Sequence, residues 1–126
     1  MKIAIVGLGY VGLPLCLQFA RNGVEVIGLD VDGMKVHSVN AGRSYIEHID
    51  SATIREAVQA GRLTASADFA RVKEVEAVII CVPTPLNKNR EPDISYIIKT
   101  GEAIARHLQK GTLVVLESTT YPGTTD

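Results

Sequence analysis

Lys2 to Gly12 reads KIAIVGLGYVG, and the fold turns on that stretch. Lys2–Val6 is a short β-branched apolar run, the pattern of a parallel strand covered on both faces. Gly7-Leu8-Gly9-Tyr10-Val11-Gly12 is a glycine-rich turn. Leu13–Arg21 is an apolar stretch of helical length, closed by Asn22-Gly23. Strand, turn and helix in that order put backbone N–H groups at a helix N-terminus. The first donors there lack intrahelical acceptors, and the helix dipole favours an anion. Gly7 permits the tight turn, and Gly9 lets the backbone approach a pyrophosphate with no Cβ in the way. Gly12 lets the helix pack closely on the first strand. The N–H groups near Tyr10 and Val11 then face the phosphates.

Working outward, Val24–Leu29 is a second strand, and Asp30 closes it. An acidic residue at that distance from the glycines, at a strand tip, suits the hydroxyls of an adenosine ribose. Hydrogen bonds to a charged acceptor contribute roughly 1.5–3 kcal/mol. A 2′-phosphate would meet like charge there, so the pattern favours NAD over NADP. Lys35 reads either as a solvated surface lysine or as a further contact.

Strands and helices alternate over the rest of the chain. Helices are expected near 33–40 and 51–60, the second with Asp50 or Ser51 as its N-cap and Gly61 as its stop. Leu63–Ser66 is a weak third strand, Asp68–Val75 a helix, and Glu76–Val82 a strong fourth strand. A polar loop over Pro83–Pro92 leads to a helix capped by Asp93. Its apolar positions are Ile94, Ile97, Ile98, Ile104, Ala105 and Leu108, with Gly101 on the same stripe to permit close approach to the sheet. Lys110-Gly111 ends that helix, and Thr112–Leu116 is a fifth strand ahead of Glu117. The alternation predicts an α/β protein with right-handed crossovers: a Rossmann-type doubly wound parallel sheet of about five strands, in the order 3-2-1-4-5, with helices on both faces. Residues 1–126 form one dinucleotide-binding domain, expected to be part of a longer polypeptide because a six-stranded version would add a strand. Thr84, between Pro83 and Pro85, and Thr119 fall at the carboxyl ends of the fourth and fifth strands, where open α/β sheets bind ligands.

The 126 residues carry 13 basic and 14 acidic side chains, a net charge of −1, which excludes a dominant basic footprint for nucleic acid or an acidic membrane. Cys16 and Cys81, with no CxxC pair, exclude a disulfide scaffold and a zinc cluster and read as buried small hydrophobes. His37 and His107 fall in helical stretches, His48 in a loop, and the three form no site; no metal is expected. Residues 3–17 are uncharged and follow Lys2, but glycines and Pro14 interrupt them and no cleavage motif follows, so the protein is expected in the cytoplasm.

Three blocks carry a family resemblance: Val6–Gly12 with Gly28–Asp32, then Val82-Pro-Thr-Pro85, then Glu117-Ser-Thr-Thr-Tyr-Pro-Gly123. Together they resemble the N-terminal NAD-binding domain of the UDP-glucose/GDP-mannose dehydrogenase family over essentially the whole chain. The resemblance implies NAD contacts at Gly7, Gly9, Tyr10, Val11, Gly12, Asp30, Lys35, Thr84 and Thr119. It implies that Thr119 also helps hold a catalytic water near the nicotinamide. It implies a UDP-sugar substrate, oxidised at C6 from alcohol to carboxylate with two NAD, and a homo-oligomeric full-length enzyme. The family's nucleophilic cysteine would lie beyond residue 126, so the chain alone is expected to be inactive. Tyr45-Ile-Glu-His-Ile49, Cys81–Asp93 and Leu116–Thr125 are similar to the branch acting on UDP-N-acetyl-D-glucosamine. Members acting on UDP-glucose or UDP-N-acetylmannosamine remain alternatives. So does a stand-alone NAD-sensing regulatory module, although such a module would not need Val82–Pro85 or Glu117–Thr120.

Overall fold

Hydrogen bonding sorts β1 (Lys2–Val6), β2 (Glu25–Leu29), β3 (Leu63–Ser66), β4 (Ala77–Pro83) and β5 (Leu113–Thr119) into one parallel sheet, ordered β3-β2-β1-β4-β5. The computed structural model describes residues 1–9, 11–46, 49–83 and 95–119, of which 82, 83, 95–97, 99 and 116–119 are described through the backbone alone. The crossovers are α1 (Gly12–Arg21), α2 (Gly33–Asn40), α3 (Ser51–Gln59), a 3-10 helix (Phe69–Glu74) and α4 (Ser95–Ala105).

Strand alternation divides the core into two layers. Ile3, Ile5 and Val26 pack on one face with Leu13, Cys16 and Leu17 of α1, Val39 of α2 and Ile54 of α3. Ala4, Val6, Ile27, Leu29, Val78 and Ile80 face the other way, against Val72 of the 3-10 helix and Ile104 of α4. Each fully buried Val, Leu or Ile contributes roughly 1.5–3 kcal/mol. The two-layer burial explains why the central strands read as continuous apolar runs. It also gives the expected order and doubly wound layering.

Several local expectations are revised. Asp68 caps a 3-10 helix through Ala70 N–H, where an α-helix over Asp68–Val75 was expected. Asp50 occupies the N-cap position of α3 but makes no side-chain cap bond; the Ser51 hydroxyl accepts from Ser44 N–H instead. α4 stops at Ala105, short of Lys110-Gly111, so His107 lies in the turn beyond it. β5 runs from Leu113 to Thr119, past the expected end at Leu116, so Glu117 lies within it. The expected apolar stripe holds at Ile104 and Leu108, which pack against Val72, but not at Ile98 or Ala105. Thr100 and Ile104 are buried, while Ile98 is 51% exposed. A Cβ on Gly101 would meet nothing within 4 Å, so Gly101 serves no close approach to the sheet. Adjacent apolar pairs such as Ile97-Ile98 and Ile104-Ala105 allow two helical stripes, and the one that packs runs through Thr100. Asp93 and His48 lie outside the described residues.

The edge of β3 is covered by a side chain. Asn40, the last residue of α2, donates from Nδ2 to Ala65 O and accepts from Ala65 N–H, both at 2.9 Å. Its amide thus stands in for a neighbouring strand and blunts an exposed edge. Asn40→Ala is expected to lower stability by about 1–2 kcal/mol. Urea denaturation checks this, and an unchanged midpoint would contradict the role.

Candidate cofactor site

The site begins where β1 ends. Val6 pairs with Leu29 on one side and Ile80 on the other, so β1 and β2 end at one level while β4 runs on three residues, to Pro83. Gly7 leaves the sheet with φ 98°, a left-handed conformation that glycine adopts without steric penalty. Its N–H still donates to Leu29 O at 2.7 Å, so the bend stays joined to β2. Leu8 is fully buried, and its side chain packs into the space that Gly28 leaves open on β2. Leu13 N–H donates to Gly9 O and Leu15 N–H to Val11 O, which starts α1 directly from the bend.

Two glycines show opposite demands. A Cβ on Gly12 would stand 1.6 Å from Gly7 O, so only glycine lets α1 start this close to β1. A Cβ on Gly9 would meet nothing within 4 Å. The space at that position is open, and Gly9 lies just ahead of the start of α1, where an anion could approach the backbone.

Asp30 closes this bend from the side. It is 4% exposed, at the tip of β2. Its Oδ2 accepts from Leu8 N–H at 2.7 Å, and its Oδ1 accepts from Asp32 N–H at 2.9 Å. A carboxylate has about four acceptor positions, so each oxygen keeps capacity for one more donor. Asp32 in turn caps α2 by accepting from Met34 N–H. Lys35 follows in the first turn of α2, half-buried.

The structure therefore brings Gly7, Gly9, Val11, Gly12 and Asp30 together, with Lys35 on the adjoining helix. Tyr10 and Thr84 lie outside the described residues. Thr119 ends β5 beside Pro83 of β4, described through its backbone alone. Sequence reasoning missed three neighbours. Val31, next to Asp30 in the chain, and Met34, in the first turn of α2, expose apolar surface, at 57% and 80%. Their only signal is apolar character inside a polar stretch. Tyr45 is the third: its hydroxyl donates to Leu8 O at 2.5 Å. Burial foremost, then the Asp30 carboxylate, Cys16 and Asp32, pushes the phenol well above its ordinary value, so it stays a donor.

Cys16 and Cys81 are both buried, and burial with the nearby Cys81 raises the Cys16 thiol far above its usual range. Cys16 is a packing residue and not a nucleophile. Among the described residues no cluster of His, Cys, Asp or Glu could hold a metal, and no helix is long and apolar enough to cross a membrane.

Comparison with known proteins agrees with this geometry. Residues 1–126 match the family model described as UDP-glucose/GDP-mannose dehydrogenase family, NAD binding domain. The chain is 34% identical to the UDP-N-acetyl-D-glucosamine 6-dehydrogenase of Pseudomonas aeruginosa, covering 100% of this chain and 29% of that protein. It is 40% identical to the UDP-N-acetyl-D-mannosamine dehydrogenase of Escherichia coli K12, covering 98% and 29%. The crystal structure of a ternary complex of GDP-mannose dehydrogenase from Pseudomonas aeruginosa superposes with a TM-score of 0.88 at 36% identity, covering 98% of this chain and 30% of that one. The chain thus spans about three-tenths of the length of these relatives.

Gly12→Ala drives a methyl group into a backbone carbonyl and is expected to cost about 3 kcal/mol, the upper range for overpacking. The thermal midpoint measures it; a chain as stable as the wild type would refute the close approach.

Proposed function

Since this chain belongs to the UDP-glucose/GDP-mannose dehydrogenase family, as its NAD-binding domain, we propose that it holds the cofactor of a nucleotide-sugar dehydrogenase along the glycine bend and the tips of β1 and β2. The observation that carries this reading is the Asp30 carboxylate, buried at the tip of β2 and bonded to the bend at Leu8 N–H. The residues present fit the cofactor: the space at Gly9 would take a diphosphate, and Asp30 keeps acceptor capacity for two ribose hydroxyls.

In this reading the N–H groups near Tyr10 and Val11 face the pyrophosphate, backed by the α1 dipole, worth about 0.3–1 kcal/mol per charge, and Gly12 contributes by letting α1 start close to β1. Asp30 accepts from the ribose, and Lys35 adds a contact on the adenosine side. Val31 and Met34 flank the adenine with the apolar surface that they expose. Thr84 and Thr119, at the ends of β4 and β5, border the nicotinamide half, and Thr119 holds a water there. NAD, when bound, accepts a hydride. The chain's own residues do the rest by fixing which end of the cofactor reaches the substrate.

The whole enzyme, a cytoplasmic homo-oligomer in this proposal, oxidises the C6 alcohol of a UDP-sugar to the carboxylate with two NAD. Its nucleophile lies outside residues 1–126. The sugar is UDP-N-acetylglucosamine, on the similarity of Tyr45–Ile49, Cys81–Asp93 and Leu116–Thr125 to that branch. The 40% identity with a UDP-N-acetyl-D-mannosamine dehydrogenase supports the mannosamine epimer as a second reading.

The 126-residue chain should bind NAD at least about tenfold more tightly than NADP, and Asp30→Ala should weaken NAD binding by at least about tenfold. Calorimetry measures both. Equal affinity for the two cofactors, or an unaffected Asp30→Ala chain, would remove Asp30 from the ribose. The chain alone should reduce no NAD with any UDP-sugar, and steady NADH production by it would contradict the missing nucleophile.

A further inference from the structure

The peptide groups on either side of Leu8 are held by two different side chains. The Gly7–Leu8 peptide offers its N–H to Asp30 Oδ2 at 2.7 Å. The Leu8–Gly9 peptide offers its carbonyl to the Tyr45 hydroxyl at 2.5 Å. Both contacts bridge large sequence separations, so neither is a by-product of the local turn. All peptide bonds described are trans. In a trans peptide the C=O and N–H point in opposite directions. Fixing the Leu8 carbonyl against Tyr45 therefore fixes the Gly9 N–H on the side of the bend away from Tyr45.

Gly9 is the joint at which that constraint matters. It has no side chain to limit rotation, and open space surrounds the position of a Cβ. Glycine loses more backbone freedom on ordering than any other residue. On its far side Gly9 is anchored by Leu13 N–H donating to its carbonyl. On its near side the Tyr45 hydroxyl holds the peptide plane.

Tyr45 itself stands on a rigid base. Ile46 is buried in the core, and the Ser44 hydroxyl both donates to Ile46 O and accepts from Ile46 N–H. Ser44 N–H is tied to the Ser51 hydroxyl at the start of α3. The groups facing the phenol are Asp30 and Asp32 from beyond β2 and Cys16 from α1. The two carboxylates and the burial keep the hydroxyl protonated, which it must be to donate.

We propose that Tyr45 is a positioning residue for the dinucleotide: its hydroxyl pre-orients the Leu8–Gly9 peptide, and through it the N–H groups that receive the diphosphate. The inference rests on the cofactor reading above. It assigns Tyr45 no contact with NAD. Its effect is confined to the diphosphate, because the adenosine half is held by Asp30 and the surface around it. Pre-orientation raises affinity by removing the entropy of ordering the loop at binding.

Tyr45→Phe keeps the ring that packs on the core and removes only the hydroxyl. ADP and adenosine serve as probes of the 126-residue chain, titrated by amide NMR. ADP affinity is expected to fall by about fivefold, in line with the loss of one hydrogen bond, while adenosine affinity stays unchanged. The Gly9 amide should also gain mobility in the ADP-free variant. Unchanged ADP affinity would overturn the inference and leave the cofactor reading intact. An equal loss for ADP and adenosine would make Tyr45 a general structural residue, which also overturns it. Wild-type chain that binds neither ADP nor NAD would overturn the cofactor reading and this inference together.

Discussion

A buried carboxylate bonded to a backbone N–H holds the architecture of the site. Asp30 accepts from Leu8 N–H at 2.7 Å while sitting at 4% exposure. Breaking that bond would leave the buried Leu8 N–H unsatisfied and the Asp30 carboxylate with the Asp32 N–H alone, which costs about 1–3 kcal/mol. The bond ties the end of β2 to the turn that starts α1, and Gly7 N–H donating to Leu29 O ties them again. One side chain therefore sets the distance between the tip of β2 and the helix N-terminus, the two features that the proposed dinucleotide would span. Gly12 completes the constraint, because α1 can start against Gly7 O only if residue 12 has no Cβ.

The parts of this arrangement legible in the sequence are those encoded within a short window. GLGYVG after an apolar strand and Asp30 at the end of the next can be read because their spacing alone places them at the start of α1 and the tip of β2. The strand order followed from alternation of strands with helices. Contacts between distant positions left no such trace. Tyr45 reaches Leu8, and Asn40 reaches Ala65, without periodicity or a turn residue to announce them. The stripe after Asp93 was legible in part: Ile104 and Leu108 pack as the period demands, but the adjacent apolar pairs also fit a second face, and Ile98 lies on the exposed one while Thr100 is buried.

Family membership and local geometry constrain different questions. The match across residues 1–126 identifies the NAD-binding domain of the family, and the chain spans about three-tenths of the length of the relatives it matches. What the chain's geometry shows is a bend braced from two sides. The Asp30 and Tyr45 bonds hold successive peptide planes before any ligand arrives. A site ordered in advance binds with less loss of chain entropy than one that folds around its ligand.

The most direct test of the account is an amide NMR titration of the 126-residue chain with NAD. The account predicts that the largest shifts cluster at Leu8, Gly9, Val11, Gly12, Val31 and Met34, with the distant ends of α1 and α3 unmoved. Shifts scattered over the surface, or a spectrum untouched at saturating NAD, would contradict it.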